Sequence, residues 1–598
     1  MPRRPSTLAP AVFYPAGGLI LVFVLLGIFA TDWLAEVMSN LQSMVINGFG
    51  WYYVLIVALF VVFAIYVGLS RFGDITLGKD EETPDFKLPV WFAMLFATGM
   101  GIGLVYFGVA EPLWHYTDPK PGVTGDSASL AGQAMGQTYL HWGFHAWAIY
   151  VVIGLALAYA IHRKGRPVSI RWALEPLLGE KRVNGWLGNL IDVLAIFGTV
   201  FGVATSLGLG VLQLSAGLEY LGVAESTVAL QMGLIVAITA TAALSVASGL
   251  ERGIKWLSNG NMMLAGALVV VVLLLGSSLF VMREWVQSLG FYLQNVMQMT
   301  FDTLAFQGQD GLAWESSWTI FYWGWWISWA PFVGLFIARI SRGRTVREFV
   351  LGTLLVPMLV TTVWFSVFGG AALRQEMMEP GSMLDPETGT VNSDTAMFQL
   401  FDTLPGGGAW LAVIAMILVV VFFVTSSDSG SFVVDMLANG GDQNPPLWSR
   451  LFWAILEGGV AAALLYAGGL ATLQTASILT ALPFSVVLLA MMVSVWKALE
   501  TEHRAIMRAE RRLRQREFKQ EVTEHVTEHV TVHVNEQLSE MTGQVPVVDN
   551  AEREGAGTPV TARGRGPKAW RRRTSGQGPK GSGPGAEGSG PGTTDTSG

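Results

Sequence analysis

Long apolar runs separated by short charged connections dominate the chain. A helix needs about 20 apolar residues to cross a bilayer. Twelve runs qualify or nearly so, at 12–30, 51–70, 89–113, 141–161, 187–217, 229–248, 260–281, 317–338, 350–372, 409–436, 450–468 and 472–496. The bilayer core offers no water to backbone N–H and C=O groups, so each run is expected to be helical. The first, Pro15 to Ala30, follows Arg3 and Arg4 and has the length of a signal peptide. No small-residue cleavage site follows it, so it reads as a retained span. The stretch 283–316 is too polar to span. Its Trp285, Leu289, Tyr292 and Val296 recur at helical spacing and predict an interfacial amphipathic helix within 282–316. After Lys497 the pattern changes. A charged helix is expected over 497–540, then a disordered tail, 541–598, rich in Gly, Pro, Ser and Thr.

Composition agrees with an all-α polytopic membrane protein. Of 598 residues, 52% are hydrophobic and 14% charged, against about a quarter charged in soluble domains. The net charge of −8 decides little, because charges at a membrane act locally. No cysteine is present, which excludes disulfides, thiolate metal sites and cysteine nucleophiles. Basic residues alternate from loop to loop. Arg163, Lys164, Arg166, Arg171, Lys181 and Arg182 follow the fourth run, and Arg339, Arg342, Arg344 and Arg347 the eighth. Lys120, Arg283 and Arg374 stand alone in the connections between. The positive-inside rule then places both termini in the cytoplasm, in keeping with an even number of spans.

Three constellations carry chemistry. The first is Thr98-Gly99-Met100-Gly101-Ile102-Gly103 in the third span. A glycine in a helix interior costs about 1 kcal/mol relative to alanine, so three at alternate positions predict local unwinding. Unwound backbone at membrane depth is tolerated where it lines a cavity, and there it can bind an ion or an anionic group. Close helix packing through Gly99 and Gly103 is the competing reading. The second is the aromatic run of the eighth span. Tyr322, Trp325, Trp326 and Trp329 share one helix face over about 10 Å. Such a face suits a trimethylammonium group, which has no N–H to donate and is held by ring quadrupoles. An interfacial belt or plain core is the alternative. Trp142, Trp147 and Tyr150 of the fourth span fall within a sector of about 140° and fit the same cavity. His141 and His145, four residues apart there, are expected to be structural, since no carboxylate is evident near them in sequence. The third is Thr425-Ser426-Ser427-Asp428-Ser429-Gly430 in the tenth span, whose oxygens suit an alkali cation. Back-bonding of Ser and Thr to their own helix is the alternative. Interruptions in spans three and eight, each opening a group of five, point to an inverted repeat.

Gly99-Met100-Gly101-Ile102-Gly103, Glu111-Pro112-Leu113, the Trp-rich run and Ser341-Arg342-Gly343-Arg344 together resemble the betaine–choline–carnitine transporter family, over roughly 12–496. The resemblance implies a LeuT-like core of two five-helix inverted repeats, 89–281 and 317–496. Two extra helices and a loop (12–88) would precede it, after a cytoplasmic N-terminus (1–11), in a homotrimer. It maps an aromatic box onto Trp142, Trp147, Tyr150 and Trp326, with Trp325 and Trp329 beside the path. Gly99, Gly101 and Gly103 lie in the substrate segment. It maps the principal sodium site onto backbone oxygens of Ala97, Met100 and Phe422 and the hydroxyls of Thr425 and Ser426. Choline-carrying members resemble one another in an Asp where this chain has Gly103, which favours a zwitterion here. The second sodium site of the family uses two threonines one turn apart. This chain has Thr199 but Val203, which puts that site in doubt, with Thr205, a carbonyl or water as possible substitutes.

Arg504, Arg508, Arg511, Arg512, Arg514 and Arg516 make a basic segment suited to anionic lipids and to osmotic regulation through ionic strength. Interleaved Glu residues make an ordinary solvated helix the alternative. The repeat around His525, His529 and His533 has no assigned role. The expected function is sodium-coupled import of glycine betaine or a similar solute across a bacterial plasma membrane. Proton-coupled or sodium-independent choline or carnitine transport, and a non-transporting osmosensor, are the alternatives. No nucleophile–base pair marks an enzyme, and no nucleic-acid partner is implied.

Overall fold

Backbone groups with no water to turn to bond within their own segment. The described part of the chain is accordingly mostly helix in its computed structural model. The structure describes residues 8–99, 101–248 and 251–543. The chain divides into two compact units, Met1–Arg511 and Arg512–Gly598. Among the described residues, ten helices are long and apolar enough to cross a membrane.

α1 (Pro10–Phe29) is followed at once by α2 (Thr31–Leu69), which starts well before the expected span at 51–70. The third span is broken as the glycines predict. α3 (Leu88–Gly99) and α4 (Ile102–Thr117) are separated by extended backbone at Gly101, φ −149° and ψ −168°. A break the sequence did not signal divides the fourth span into α5 (Ser127–Trp142) and α6 (Phe144–Ala158), at Gly143. Beyond α7 (Glu175–Leu178) and α8 (Glu180–Val183) come α9 (Trp186–Tyr220), α10 (Val228–Ser248) and α11 (Glu251–Leu275). The amphipathic helix is α12 (Ser278–Thr300), with Tyr292 buried on its inner face and Val286, Leu293 and Met297 exposed.

α13 (Gly308–Ser317) and α14 (Thr319–Ile340) meet at Trp318. The interruption expected within span eight is therefore corrected. α14 is continuous from Thr319 through the rest of the Trp-rich run, where bulky rings pack on neighbours without disturbing the backbone, and the break falls on the first residue of the run, Trp318. α15 (Val346–Phe365), α16 (Ala371–Met378) and α17 (Ala396–Thr403) lead to α18 (Ala409–Ala438), helical throughout Thr425–Gly430. α19 (Leu447–Thr542) contains non-helical backbone at Gly468 and Gly469, the latter at φ +62°. That break falls between the expected spans 450–468 and 472–496. The charged helix after Lys497 is present, and residues 544–598 of the expected tail lie outside the described residues.

α14 is buried along almost its whole length, packed on α6 and α9. α9 also packs on α18, which α10 and α11 cover. The outer helices turn apolar side chains outward, among them Leu19, Val62, Val236, Leu244 and Val270. Apolar outer faces of this kind mark a membrane-facing surface.

One end of the bundle is tied by polar contacts. The loop after α2 pairs with the Ser341–Arg344 turn, Leu77 N–H donating to Arg344 O at 2.7 Å and Gly343 N–H to Leu77 O at 2.8 Å. Arg342 donates to Glu82 at 2.9 Å and holds its carboxyl down to about 2. Arg163 donates to Thr76 O, Gly78 O and Glu502, the last at 2.7 Å, and Glu502 also takes Lys164 at 2.8 Å and Tyr159 O–H at 3.1 Å. Hydrogen bonds to charged groups are worth about 1.5–3 kcal/mol each. Glu502→Ala is expected to speed amide hydrogen exchange over 71–80 and 159–164 by about tenfold, since local opening then costs less. Unchanged exchange, read by mass spectrometry, would show that Glu502 does not hold this end together.

Candidate functional site

The helical spacing of Tyr322, Trp325, Trp326 and Trp329 sets their rings in one stripe along α14. Trp325 and Trp326 stack with centroids 4.7 Å apart and 14° between planes. Trp329 continues the stripe at 6.4 Å from Trp326. Trp142, the last residue of α5, meets Trp326 edge-on at 5.0 Å. All are buried. The expected box resolves into two pairs. Trp142 contacts Trp326, whereas Trp147 and Tyr150 of α6 contact each other at 5.5 Å and 78°. Among the described residues no ring contact joins the two pairs.

The broken span lies against this stripe. A Cβ on Gly103 would sit 2.4 Å from the Trp325 ring and 3.1 Å from Trp142, so only glycine lets α4 come this close. A Cβ on Gly101 would touch Trp329 at 3.4 Å. Gly99 ends α3, and Met100 lies outside the described residues. Two buried donors here have no partner, Trp325 Nε1 and Trp329 Nε1, and the Tyr150 hydroxyl on α6 is also unpaired. The amides of the first turn of a helix also lack intrahelical acceptors and carry a partial positive charge. Rings, first-turn amides of α4 and unpaired N–H groups thus coexist in one place. A cavity of about 490 Å³, lined by Phe107, Trp114, Trp314 and Trp318, lies on the far side of Phe107. Phe107 contacts both Trp325 and Trp142.

A fully buried carboxylate, Glu111 of α4, fixes the cluster from behind. It accepts from Trp142 Nε1 at 2.6 Å and from the Tyr322 hydroxyl. His141 Nδ1 lies 2.7 Å and His115 Nε2 3.4 Å from Glu111 Oε1. His141 Nε2 lies 3.1 Å from the Thr319 hydroxyl, and its backbone carbonyl accepts Trp326 Nε1 at 2.9 Å. The expectation that no carboxylate stands near these histidines is corrected. Ligand atoms of Glu111, His115 and His141 lie within 4.8 Å of one another. His145 goes elsewhere, bonded to Thr300 at 2.9 Å and stacked on Trp323. Sequence reading missed this arrangement because Glu111 is 30 residues from His141 and 211 from Tyr322. The one available signal was a carboxylate within an apolar run.

The cation-site positions divide. Phe422, Thr425 and Ser426 share one stretch of α18, where the Thr425 hydroxyl donates to Val421 O at 2.8 Å and Phe422 O at 3.2 Å. Ala97 is in α3, and its side chain is outside what is described. The Thr199 hydroxyl donates to Ala195 O at 2.8 Å. The Thr205 hydroxyl donates toward Phe201 O at 2.9 Å and Leu473 O at 3.2 Å and lies 2.9 Å from Ser477 Oγ. Of the tail arginines, Arg504 pairs with Glu500 at 2.8 Å, and Arg508, Arg511, Arg512, Arg514 and Arg516 are exposed.

A family model described as BCCT, betaine/carnitine/choline family transporter, matches residues 11–504. An uncharacterized transporter of Mycobacterium tuberculosis is 51% identical over 497 residues, 82% of this chain and 83% of that protein. The glycine betaine transporter OpuD of Bacillus subtilis is 44% identical over 501 residues, 84% of this chain and 96% of that one. The high-affinity choline transport protein of Escherichia coli is 39% identical over 503 residues, 84% and 73% of the two chains.

Glu111→Ala strips the acceptor from Trp142, Tyr322 and His141 and is expected to cost about 3 kcal/mol or more. Glu111→Gln keeps one acceptor oxygen and is expected to lose less. Thermal unfolding of the detergent-purified protein should rank wild type above Gln above Ala. Equal melting temperatures for all three would rule out this role for the carboxylate.

Proposed function

Because the chain belongs to the betaine/carnitine/choline family of transporters, we propose that it imports a small zwitterionic quaternary-ammonium solute, such as glycine betaine, by sodium symport. The observation that carries this reading is the aromatic cluster lying against the glycine break of α3 and α4. A trimethylammonium group is held by ring faces, at about 2 kcal/mol or more when desolvated. A carboxylate a few ångströms away would meet the first-turn amides of α4 and the unpartnered Trp325 and Trp329 N–H groups. Gly103 adds no carboxylate beside the rings, and the Glu111 carboxylate is occupied by its own donors. A solute with no net charge therefore fits better than a net cation.

Sodium is assigned to backbone oxygens of Ala97, Met100 and Phe422 and the hydroxyls of Thr425 and Ser426. A second sodium at Thr199 is not proposed. Val203 offers no oxygen where the second threonine would stand. The division of α19 at Gly468–Gly469 and the pairing of α3 with α4 support twelve spans in two inverted sets of five after two extra helices. The same reading includes a homotrimer in the bacterial plasma membrane with both termini cytoplasmic. Its basic segment from Arg504 to Arg516 meets anionic lipids and makes uptake respond to hyperosmotic stress.

Three measurements test this function. Radiolabelled glycine betaine should enter proteoliposomes under an inward sodium gradient, stop when potassium replaces sodium, and be competed poorly by choline. Uptake indifferent to sodium would overturn the symport. Trp326→Ala is expected to weaken solute binding by about thirtyfold while the protein still assembles; normal uptake would remove Trp326 from the site. Thr425→Ala should weaken apparent sodium affinity by about fivefold, more than it weakens solute binding at saturating sodium.

A further inference from the structure

Glu457 is a carboxylate that nothing in the transport site uses. It lies about 15 Å along α19 from its start at Leu447, in the middle of a run otherwise apolar enough to span. It is fully buried, and neither carboxylate oxygen has a hydrogen-bond partner. Room for it is made by Gly430 of α18. A Cβ there would stand 3.3 Å from Glu457 Oε1 and 3.0 Å from Val203. The carboxyl group therefore sits in the seam between α18 and α19, next to the valine that replaces an oxygen ligand on α9.

The charged and titratable groups around it are few. α18 contributes Asp428, which faces Glu457, while Ser427 approaches without closing a hydrogen bond. Asp435, further along α18, is held by Ser449 and Asn439. Arg450, on the same helix as Glu457, directs its charge to Asp428 and Asp435 and stacks over Phe432 at 4.9 Å. α9 brings Val203. α10 brings Thr239, whose hydroxyl is also unpartnered, and carries no titratable residue. α1 brings Val24 near Gly459 and carries no carboxylate or basic side chain, its one titratable residue being the exposed Tyr14. The side chains of 251–256, which open α11, are outside what is described.

An ionised carboxylate without a donor is strongly disfavoured in such surroundings, and a second carboxylate beside it makes matters worse. A sodium ion would need several oxygens closed around it, and Val203 and Gly430 leave two sides of the carboxyl group without any. A proton needs one. The geometry points to Glu457 as a proton-binding site. In this conformation it is a neutral acid. When the α18–α19 seam opens to water, its O–H bond breaks and the proton passes to water, leaving a solvated carboxylate; closure reverses the step. Asp428 lies one turn beyond Thr425, so the proton site adjoins the proposed sodium segment. The inference adds to the symport reading and relies on it only for an uptake assay.

Dicyclohexylcarbodiimide tests the protonation state without transport. It adds to a protonated carboxyl in apolar surroundings and rearranges to a stable N-acylurea. The full-length protein in proteoliposomes, treated near neutral pH and digested for mass spectrometry, should carry the adduct on Glu457. An unmodified Glu457, with other buried acids labelled, would overturn the proposal. Uptake measured from about pH 6 to pH 9 tests the turnover role. Wild-type uptake should change by about threefold or more, and Glu457→Gln should flatten the profile. The same profile in both proteins would overturn that role. If Glu457→Gln does not assemble, Glu457→Asp should shift the profile along the pH axis, and an unshifted profile counts against it. Failure of sodium to drive uptake would sink the symport reading alone, since the labelling result stands apart from it.

Discussion

A carboxylate cannot stay ionised inside an apolar helical domain unless it collects donors, and the organisation around Glu111 follows from that constraint. Its partners come from three elements: Trp142 and His141 from α5, Tyr322 from α14, and His115 from its own helix. Each bond fixes a ring whose other face belongs to the cluster. Trp142 is turned so that its edge meets Trp326, and His141 stacks on Tyr322 at 4.5 Å. The His141 carbonyl then takes the Trp326 N–H, closing a circuit from carboxylate to cage and back. A buried polar network of this kind is specific because an unmet member is costly. Aromatic rings alone, packing by dispersion, would tolerate several arrangements.

The second constraint is distance. α4 reaches the α14 stripe only where Gly103 has no side chain, and the extended backbone at Gly101 sets the direction in which α4 leaves. Glu111 lies further along α4, so the break also aims the carboxylate at its partners. Here α14 is the stiff reference, continuous and buried, and α3–α4 is the jointed element set against it. A solute held between the two would bear on the joint, which is where binding energy can be turned into a change of conformation. α18 is unbroken, but its Thr425–Gly430 segment is polar and packs on α9 and α19 through small residues, a combination that permits sliding.

What could be read in the sequence was what depends on neighbours in the chain. The apolar runs, the glycine break of the third span, the amphipathic helix holding Tyr292 and the division between spans 450–468 and 472–496 are all local. The break at Gly143 was not legible, because a single glycine among aromatics carries no distinctive pattern. The interruption expected in span eight falls at its very start, Trp318, and the rings beyond it leave the helix unbroken, since composition marks unusual residues and not their torsion angles. The ring stripe on α14 was legible through its spacing. Its split from the Trp147–Tyr150 pair was not, because that depends on how α5 and α6 diverge at Gly143. Glu111 was visible as a motif residue, but its role depends on partners 30, 31 and 211 residues away in the chain. Glu457 passed unnoticed because its neighbours along the helix are apolar enough to hide one acid in a hydropathy average.

Three buried carboxylates now stand in sequence of increasing exposure to risk. Asp192 of α9 is met by a full positive charge, Arg171 at 2.5 Å, together with the Ser169 hydroxyl at 2.6 Å. Glu111 has no arginine or lysine and relies on N–H and O–H donors and two histidines. Glu457 has neither. A group held like Asp192 is fixed in charge and serves the scaffold. A group held like Glu111 keeps its place only while several helices keep theirs, so it reports on the closed arrangement of the cage. A group held like Glu457 stays buried by giving up its charge, and its state changes whenever water arrives. The less a buried acid is compensated in one conformation, the more its free energy depends on which conformation the chain occupies. In a membrane protein whose task requires two conformations, that dependence makes the least compensated acid the group best placed to sense the change between them.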